Sequence, residues 1–236
     1  MAKAEKALSP ATMDSIIELA GTMLTVHGYN GVSFLSLGRQ LGIGHSNIHY
    51  YFKTKDDLVE RVLGHYTNSA LEFFRVLWRD PEIDLRSKMQ RTRDWLHGNF
   101  RKYSSGQSGG RIGLLGSMAA DVEHLSANAR NILRDINVSL GDHIRAGIDI
   151  AVDRGDLNES APRQELALQI LWLLYSSRII VRHGNTFDNL DGLFNWTTDV
   201  MELAYGNPSA AGRRTAPRAR RLKPARKVKP AYAGRV

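Results

Sequence analysis

The sequence predicts an all-α protein: a three-helix unit containing a helix-turn-helix, followed by a larger helical bundle. Three observations carry this reading. Apolar residues recur at three- and four-residue spacing along most of the 236 residues, the periodicity of helices with one buried face. No stretch alternates apolar and polar residues for long enough to make a strand, and no internal repeat is present. Two short helical stretches flank Gly42-Ile43-Gly44, a turn of about the length a helix-turn-helix needs.

Taken in order, residues 1–8 read as a short arm. Ser9-Pro10 opens the first helix, with serine as N-cap and proline in the first helical position. Ile16, Ile17, Ala20, Met23, Leu24 and His27 are placed on its apolar face, and Gly28 ends it. Asn30-Gly31 marks a turn, and Ser33 stands where the second helix needs a cap. Leu35, Leu37 and Leu41 fall on or near one face of that helix. The third helix, over 45–51, brings Ile48 and Phe52 inward one turn apart. His45, Ser46, Asn47, His49 and Tyr50 are left to face outward, flanked by Arg39, Lys53 and Lys55, a pattern that suits a DNA major groove.

Thr54 with Asp57 three residues on resembles a capping box, and Asp56 and Asp57 complement the positive end of the helix dipole. Leu58, Val62, Tyr66, Ala70, Phe73 and Leu77 carry this fourth helix to about residue 78, where Asp80-Pro81 breaks it. Its length, about 35 Å, is enough to connect the N-terminal unit mechanically to the bundle. Asp84 caps a helix over 85–103, and 104–110 (S-S-G-Q-S-G-G) reads as a flexible loop. A short helix is expected over 111–125. Ser126 caps a longer one with Ile132, Ile136, Leu140, Ile144, Ile148 and Val152 at a strict four-residue step, stopped at Gly155-Asp156. Ser160 and Pro162 open a helix over 163–183, and the last runs over 187–205 to Gly206-Asn207-Pro208. The domains are therefore read as 9–53, 54–208 and, from Ser209 onward, a disordered Ala/Pro/Arg/Lys tail over 209–236.

The net charge of +8 belongs to that tail. Residues 213–236 hold ten Lys and Arg and no acidic residue, leaving 22 basic against 24 acidic residues in the rest. Global charge therefore does not argue that the folded part binds nucleic acid. The absence of cysteine excludes disulfides, thiolate metal sites and thiol redox switching. No apolar run reaches the ~18–20 residues of a membrane span. The longest, over 166–181, contains Gln169 and Arg178, and the N-terminus lacks an apolar stretch of signal-peptide length. A soluble cytoplasmic protein, nucleoid-associated where it holds DNA, is expected. No Ser-His-Asp order, nucleophile motif or phosphate-binding glycine loop points to an enzyme, and no cofactor is implied. Asp121, Glu123 and His124 lie close together, but no second cluster at ligand spacing supports a metal site.

The order H-G-Y-N-G followed by S-F-L-S-L-G-R-Q-L-G-I-G-H-S-N-I-H-Y-Y-F-K-T-K-D-D-L resembles the TetR family of bacterial transcriptional regulators over roughly residues 12–60. The resemblance implies a helix-turn-helix DNA-binding domain, then a divergent helical bundle that binds a ligand and forms a dimer. The run G-G-R-I-G-L-L-G-S-M-A-A-D is similar to one branch whose members respond to small electrophiles. Some of these use a cysteine nearby, where this chain has Ile112 and no cysteine anywhere. Two departures stand out: His49 where the family often has tyrosine, and Gly38 where it usually has alanine. Glycine is expected to loosen the second helix by roughly 1 kcal/mol.

On this basis His45, Ser46, Asn47, His49 and Tyr50 are the candidate base readers. Tyr51, Lys53 and Lys55 are the candidate phosphate contacts, and Ser33 is both a cap and the start of a helix whose amides can hold a phosphate. Trp95, Phe100, Met118, His124, Trp172, Tyr175 and Arg178 are candidate ligand contacts by residue type and location. The family implies a homodimer through the last two helices, for which Leu166, Ile170, Leu173 and Leu174 with Leu190, Leu193, Phe194, Thr197 and Met201 offer apolar faces. Such a dimer meets a roughly palindromic double-stranded DNA operator. The expected function is a repressor released from DNA by an unknown small molecule. The alternative is an architectural, nucleoid-associated protein acting through its tail.

Overall fold

Local capping signals account for several of the helix starts. Ser33 Oγ accepts from the Ser36 amide at 3.1 Å, Thr54 Oγ1 from the Asp57 amide at 3.0 Å, and Ser126 Oγ from the Ala129 amide at 3.0 Å. Asp57 Oδ2 in turn accepts from the Thr54 amide at 2.9 Å, completing the capping box. The structure, a computed structural model, describes residues 10–104, 113–184 and 187–207. Among the described residues the helices are α1 (Pro10–His27), α2 (Phe34–Leu41), α3 (His45–Tyr51), α4 (Lys55–Trp78), α5 (Leu85–Ser104), α6 (Leu114–Ala120), α7 (Ala127–Asp153), α8 (Arg163–Gly184) and α9 (Asp188–Tyr205). Extended pairing among them is limited to one isolated bridge between Leu157 and Gly206. No helix of the described residues is long and apolar enough to cross a membrane. The Ser9 cap, most of the 104–110 loop and the 209–236 tail lie outside the described residues.

The buried side chains form two clusters. The first joins α1, α2 and α3 to Leu58, Val59, Val62 and Leu63 of α4, and it also takes in Leu114 and Met118 of α6 and the start of α7. The second holds Ala70, Phe74, Leu77 and Trp78 of α4 against α5, α7, α8 and α9. α4 is therefore a shared strut, with its first half in one core and its second half in the other. The corner between α4 and α5 is closed by Lys88, which is fully buried. Its ammonium donates to the carbonyls of Asp80 (2.6 Å) and Ile83 (2.8 Å). Trp78 Nε1 donates to Thr92 Oγ1 at 3.1 Å beside it.

Several side chains differ from the sequence reading. His27 is exposed and Leu35 is 59% exposed, so α1 and α2 each use a narrower apolar face than expected. Phe74, not Phe73, is the fully buried phenylalanine in the second half of α4, because it shares a face with Ala70, Leu77 and Trp78. The single helix expected over 111–125 is instead α6 plus a 3-10 turn at Val122–His124. The chain leaves helical geometry at Asp121, whose carboxylate accepts from the Tyr29 backbone N–H at 2.7 Å.

The expected dimer face is also corrected. Leu166, Ile170, Leu173, Leu190, Phe194 and Met201 are all buried within this one chain, where α8 and α9 pack on each other and on α7 and α5. Leu174, Leu193 and Thr197 are half-buried. The apolar residues that remain exposed are Leu168, Trp172 and Ile179 on α8 and Trp196, Val200 and Leu203 on α9.

Candidate functional site

The helix-turn-helix is built by two glycines. Gly42 adopts φ 67°, ψ 25°, the left-handed conformation that ends α2 without Cβ strain. Gly38 lets the turn fold back onto α2: the Ile43 amide donates to the Gly38 carbonyl at 3.0 Å. A Cβ on Gly38 would lie 2.7 Å from the Ile43 carbonyl oxygen and 3.3 Å from the His45 nitrogen. This reverses the expectation that Gly38 merely loosens the helix. Alanine gains ~1 kcal/mol of helix propensity but overpacks against rigid backbone, which typically costs ~1–3 kcal/mol. Gly38→Ala is therefore expected to lower the melting temperature and to weaken duplex binding, read by a thermal melt and an anisotropy titration.

Ile48 and Phe52 are buried as anchors of α3. His45, Ser46, His49 and Tyr50 are exposed, and Asn47 is half-buried. The His49 ring meets Phe34 edge-on at 4.5 Å, which orients it from α2. Tyr50 is 65% exposed and edge-on to Tyr51 at 5.0 Å. Tyr51 itself is half-buried against the first core, so its packing alone explains its place. Lys53 is exposed just before α4. Lys55 is half-buried, with its ammonium 4.0 Å over the Tyr29 ring, and burial lowers its pKa against the opposing pull of Asp56. The Ser33 hydroxyl is committed to the α2 cap.

Tyr29, unnoticed in the sequence, sits at a junction. Its hydroxyl donates to Asp56 Oδ1 at 2.7 Å, its backbone N–H to Asp121 Oδ2 at 2.7 Å, and its ring stacks on His124 at 6.2 Å. Burial and the Asp56 bond push its phenol up to about 12. Only the N-G turn beside it pointed to this place.

The bundle encloses a cavity of about 330 Å³. Its apolar wall includes Tyr66 and Phe74 from α4, Trp95 from α5 and Leu140 from α7. The Trp95 ring is held by Phe73, stacked at 5.2 Å, and by Phe74, edge-on at 5.7 Å. The polar groups include Glu18 from α1, His65 and Ser69 from α4, Asn99 and Lys102 from α5, and Tyr175, Ser177 and Arg178 from α8. Burial pushes the Tyr175 phenol up to about 12. Arg178 Nη1 donates to the Gly116 carbonyl at 2.7 Å.

Of the ligand candidates, Trp95, Tyr175 and Arg178 line this cavity. Phe100 instead packs near His97 and Phe187, and Met118 is buried under the N-terminal unit. His124 lies on Tyr29, and Trp172 is 68% exposed on the outer face. Glu18, Tyr66, Phe74, Asn99 and Lys102 were missed; their types carry no motif, and only the fold brings them together. Among the described residues no three His, Asp or Glu side chains are placed to hold a metal ion.

A two-glycine helix-turn-helix with an outward polar helix, carried by a strut onto a cavity-bearing bundle, defines a DNA-binding regulator. Residues 16–62 match the sequence profile of the bacterial regulatory proteins of the tetR family. Solved structures share the whole architecture. A TetR transcriptional regulator from Legionella pneumophila is 19% identical with a TM-score of 0.68, and the match covers 82% of this chain and 98% of that one. The regulatory protein TetR from Rhodobacter sphaeroides is 14% identical with a TM-score of 0.70, covering 82% and 98%. A transcriptional regulator from Saccharomonospora viridis, in complex with choline, is 18% identical with a TM-score of 0.65, covering 84% and 100%. A sequence comparison with curated proteins gives no match.

Proposed function

We propose that the protein is a homodimeric repressor that holds a two-fold DNA site with its paired α3 helices and releases it when a small molecule fills the cavity. The observation that carries this reading is the position of α6. On the cavity side, Arg178 grips its Gly116 carbonyl at 2.7 Å. On the other side, Ser117 Oγ donates to the Thr25 carbonyl at 2.9 Å, and Asp121 at its end accepts from the Tyr29 amide at 2.7 Å. A guest that displaces α6 therefore pulls on the α1–α2 connection, and Tyr29 passes the shift to Asp56 in the first turn of α4. A ligand that favours the displaced arrangement moves the population away from the DNA-bound one, by no more than its differential affinity for the two.

The structural relative captured with choline supports reading the bundle as a ligand site. The exposed apolar stripes of α8 and α9 support self-association, since monomers rarely expose contiguous apolar patches. The test is selection of bound duplexes from a random-sequence pool. Enrichment of a near-palindrome with half-sites about one helical turn apart, ~34–36 Å, bound by two chains per duplex in light scattering, is the expected result. A pool that stays random, or a single chain on a single half-site, overturns it.

A further inference from the structure

We infer that the cavity takes a small aromatic monocarboxylate, an anion of one or two fused rings. This rests on reading the cavity as the effector site, and it adds the chemistry of the effector. The size, about 330 Å³, lies at the low end of small-molecule sites, which suits a small guest. The wall is aromatic, with Tyr66, Phe74 and Trp95 contributing, so a flat ring gains the most contact there.

Charge decides between an anion and a cation. Among the described residues that line the cavity, Arg178 and Lys102 are the permanent cations, His65 stands beside them, and Glu18 is the carboxylate. Arg178 is half-buried and its guanidinium does not deprotonate in proteins, so a cationic guest beside it meets a like charge at any pH. Glu18 is exposed, and water screens it. Two further groups point the same way. The Tyr175 hydroxyl and the Asn99 side chain line the cavity and have no hydrogen-bond partner among the described residues. Tyr175 is a proton donor at neutral pH, as is the Asn99 amide NH₂. Donors from α5 and α8 therefore line the same cavity, where a carboxylate can accept from them. The carboxylate also competes with the Gly116 carbonyl for Arg178, the contact that holds α6 to the cavity.

The full chain is titrated in a calorimeter with three probes of one shape: 2-naphthoate, 2-naphthamide and trimethyl(2-naphthyl)ammonium. Naphthoate is expected to bind one per chain, about tenfold or more tighter than the amide, as charge-assisted hydrogen bonds are about twice as strong as neutral ones. The ammonium is expected not to bind. Arg178→Gln should weaken naphthoate about tenfold or more and leave the amide nearly unchanged. Because Arg178 also holds α6, Lys102→Gln is the second variant. Its side chain is exposed, and it should weaken naphthoate by about two- to fivefold with an unchanged melting temperature.

Equal binding of amide or ammonium overturns the assignment. So does naphthoate that gives no heat up to about 1 mM, or that binds Arg178→Gln as it binds the wild type. Release of a selected duplex is measured separately. Naphthoate that binds through Arg178 yet leaves the duplex bound upholds the ligand class and defeats the release reading. Release by the ammonium alone does the reverse.

Discussion

A Trp196→Asp, Leu203→Asp double variant is expected to be a folded monomer that binds a two-half-site duplex about 10²- to 10⁴-fold more weakly than the wild type. Trp196 and Leu203 are 62% and 89% exposed and, with Val200, form a stripe at i, i+4 and i+7 along α9. Leu168 and Trp172 form a similar exposed pair on α8, which packs against α9. Aspartate at such exposed positions costs an isolated chain little. In an interface it leaves unpaired charge in an apolar contact, which is strongly unfavourable. Losing the partner removes the second half-site from reach, and the affinity falls by the lost effective concentration. Light scattering with a thermal melt separates a monomer from an unfolded chain. An unchanged dimer with unchanged affinity would place the interface elsewhere.

Replacing Asn47 and His49 together with alanine is expected to remove sequence discrimination while leaving nonspecific binding nearly intact. Each well-placed bidentate base contact is worth ~1–3 kcal/mol, about 5- to 150-fold per position. Binding to a scrambled duplex depends instead on phosphate contacts, for which Arg39 and Lys53 remain exposed beside α3. The ratio of selected to scrambled affinity, at one salt concentration, is therefore the quantity to measure. His49→Ala also removes the edge contact to Phe34, typically worth ~0.5–1.5 kcal/mol, so its melting temperature should fall modestly. Asn47→Ala makes no such loss and provides the cleaner single variant. If the double variant keeps the wild-type ratio, α3 does not read the bases.

The helix-turn-helix was legible because its signals are local. A left-handed glycine at 42, a serine and a threonine each three residues before the amides they cap, and Ile48 and Phe52 one turn apart all act within a few residues. Gly38 is the exception within that unit. Helix propensity treats it as a defect, but its value lies in the Ile43 carbonyl that folds back against it. The cavity was legible only in part. Trp95, Tyr175 and Arg178 were found by residue type, but the same reasoning also chose Phe100 and Met118, which the fold spends on packing. Glu18 could not be found, because it joins Arg178 only when α1 lies against α6 and α4.

By itself the sequence determined what short-range physics decides: where helices begin and end, which face of α3 is polar, and that the excess positive charge is carried by residues 213–236. It could not decide which apolar stripe of α8 or α9 turns inward. In L-W-L-L-Y-S-S-R-I-I-V eight of eleven positions are apolar, so periodicity fits more than one orientation. Only the packing of α8 on α7 and of α9 on α5 chose Ile170 and Phe194 for the core and left Trp172, Trp196 and Leu203 outside. The link from cavity to DNA-binding unit belongs to the tertiary structure for the same reason. Hydrogen bonds such as those of Arg178 to Gly116 and Asp121 to Tyr29 span 62 and 92 residues of chain, and nothing local in the sequence encodes them.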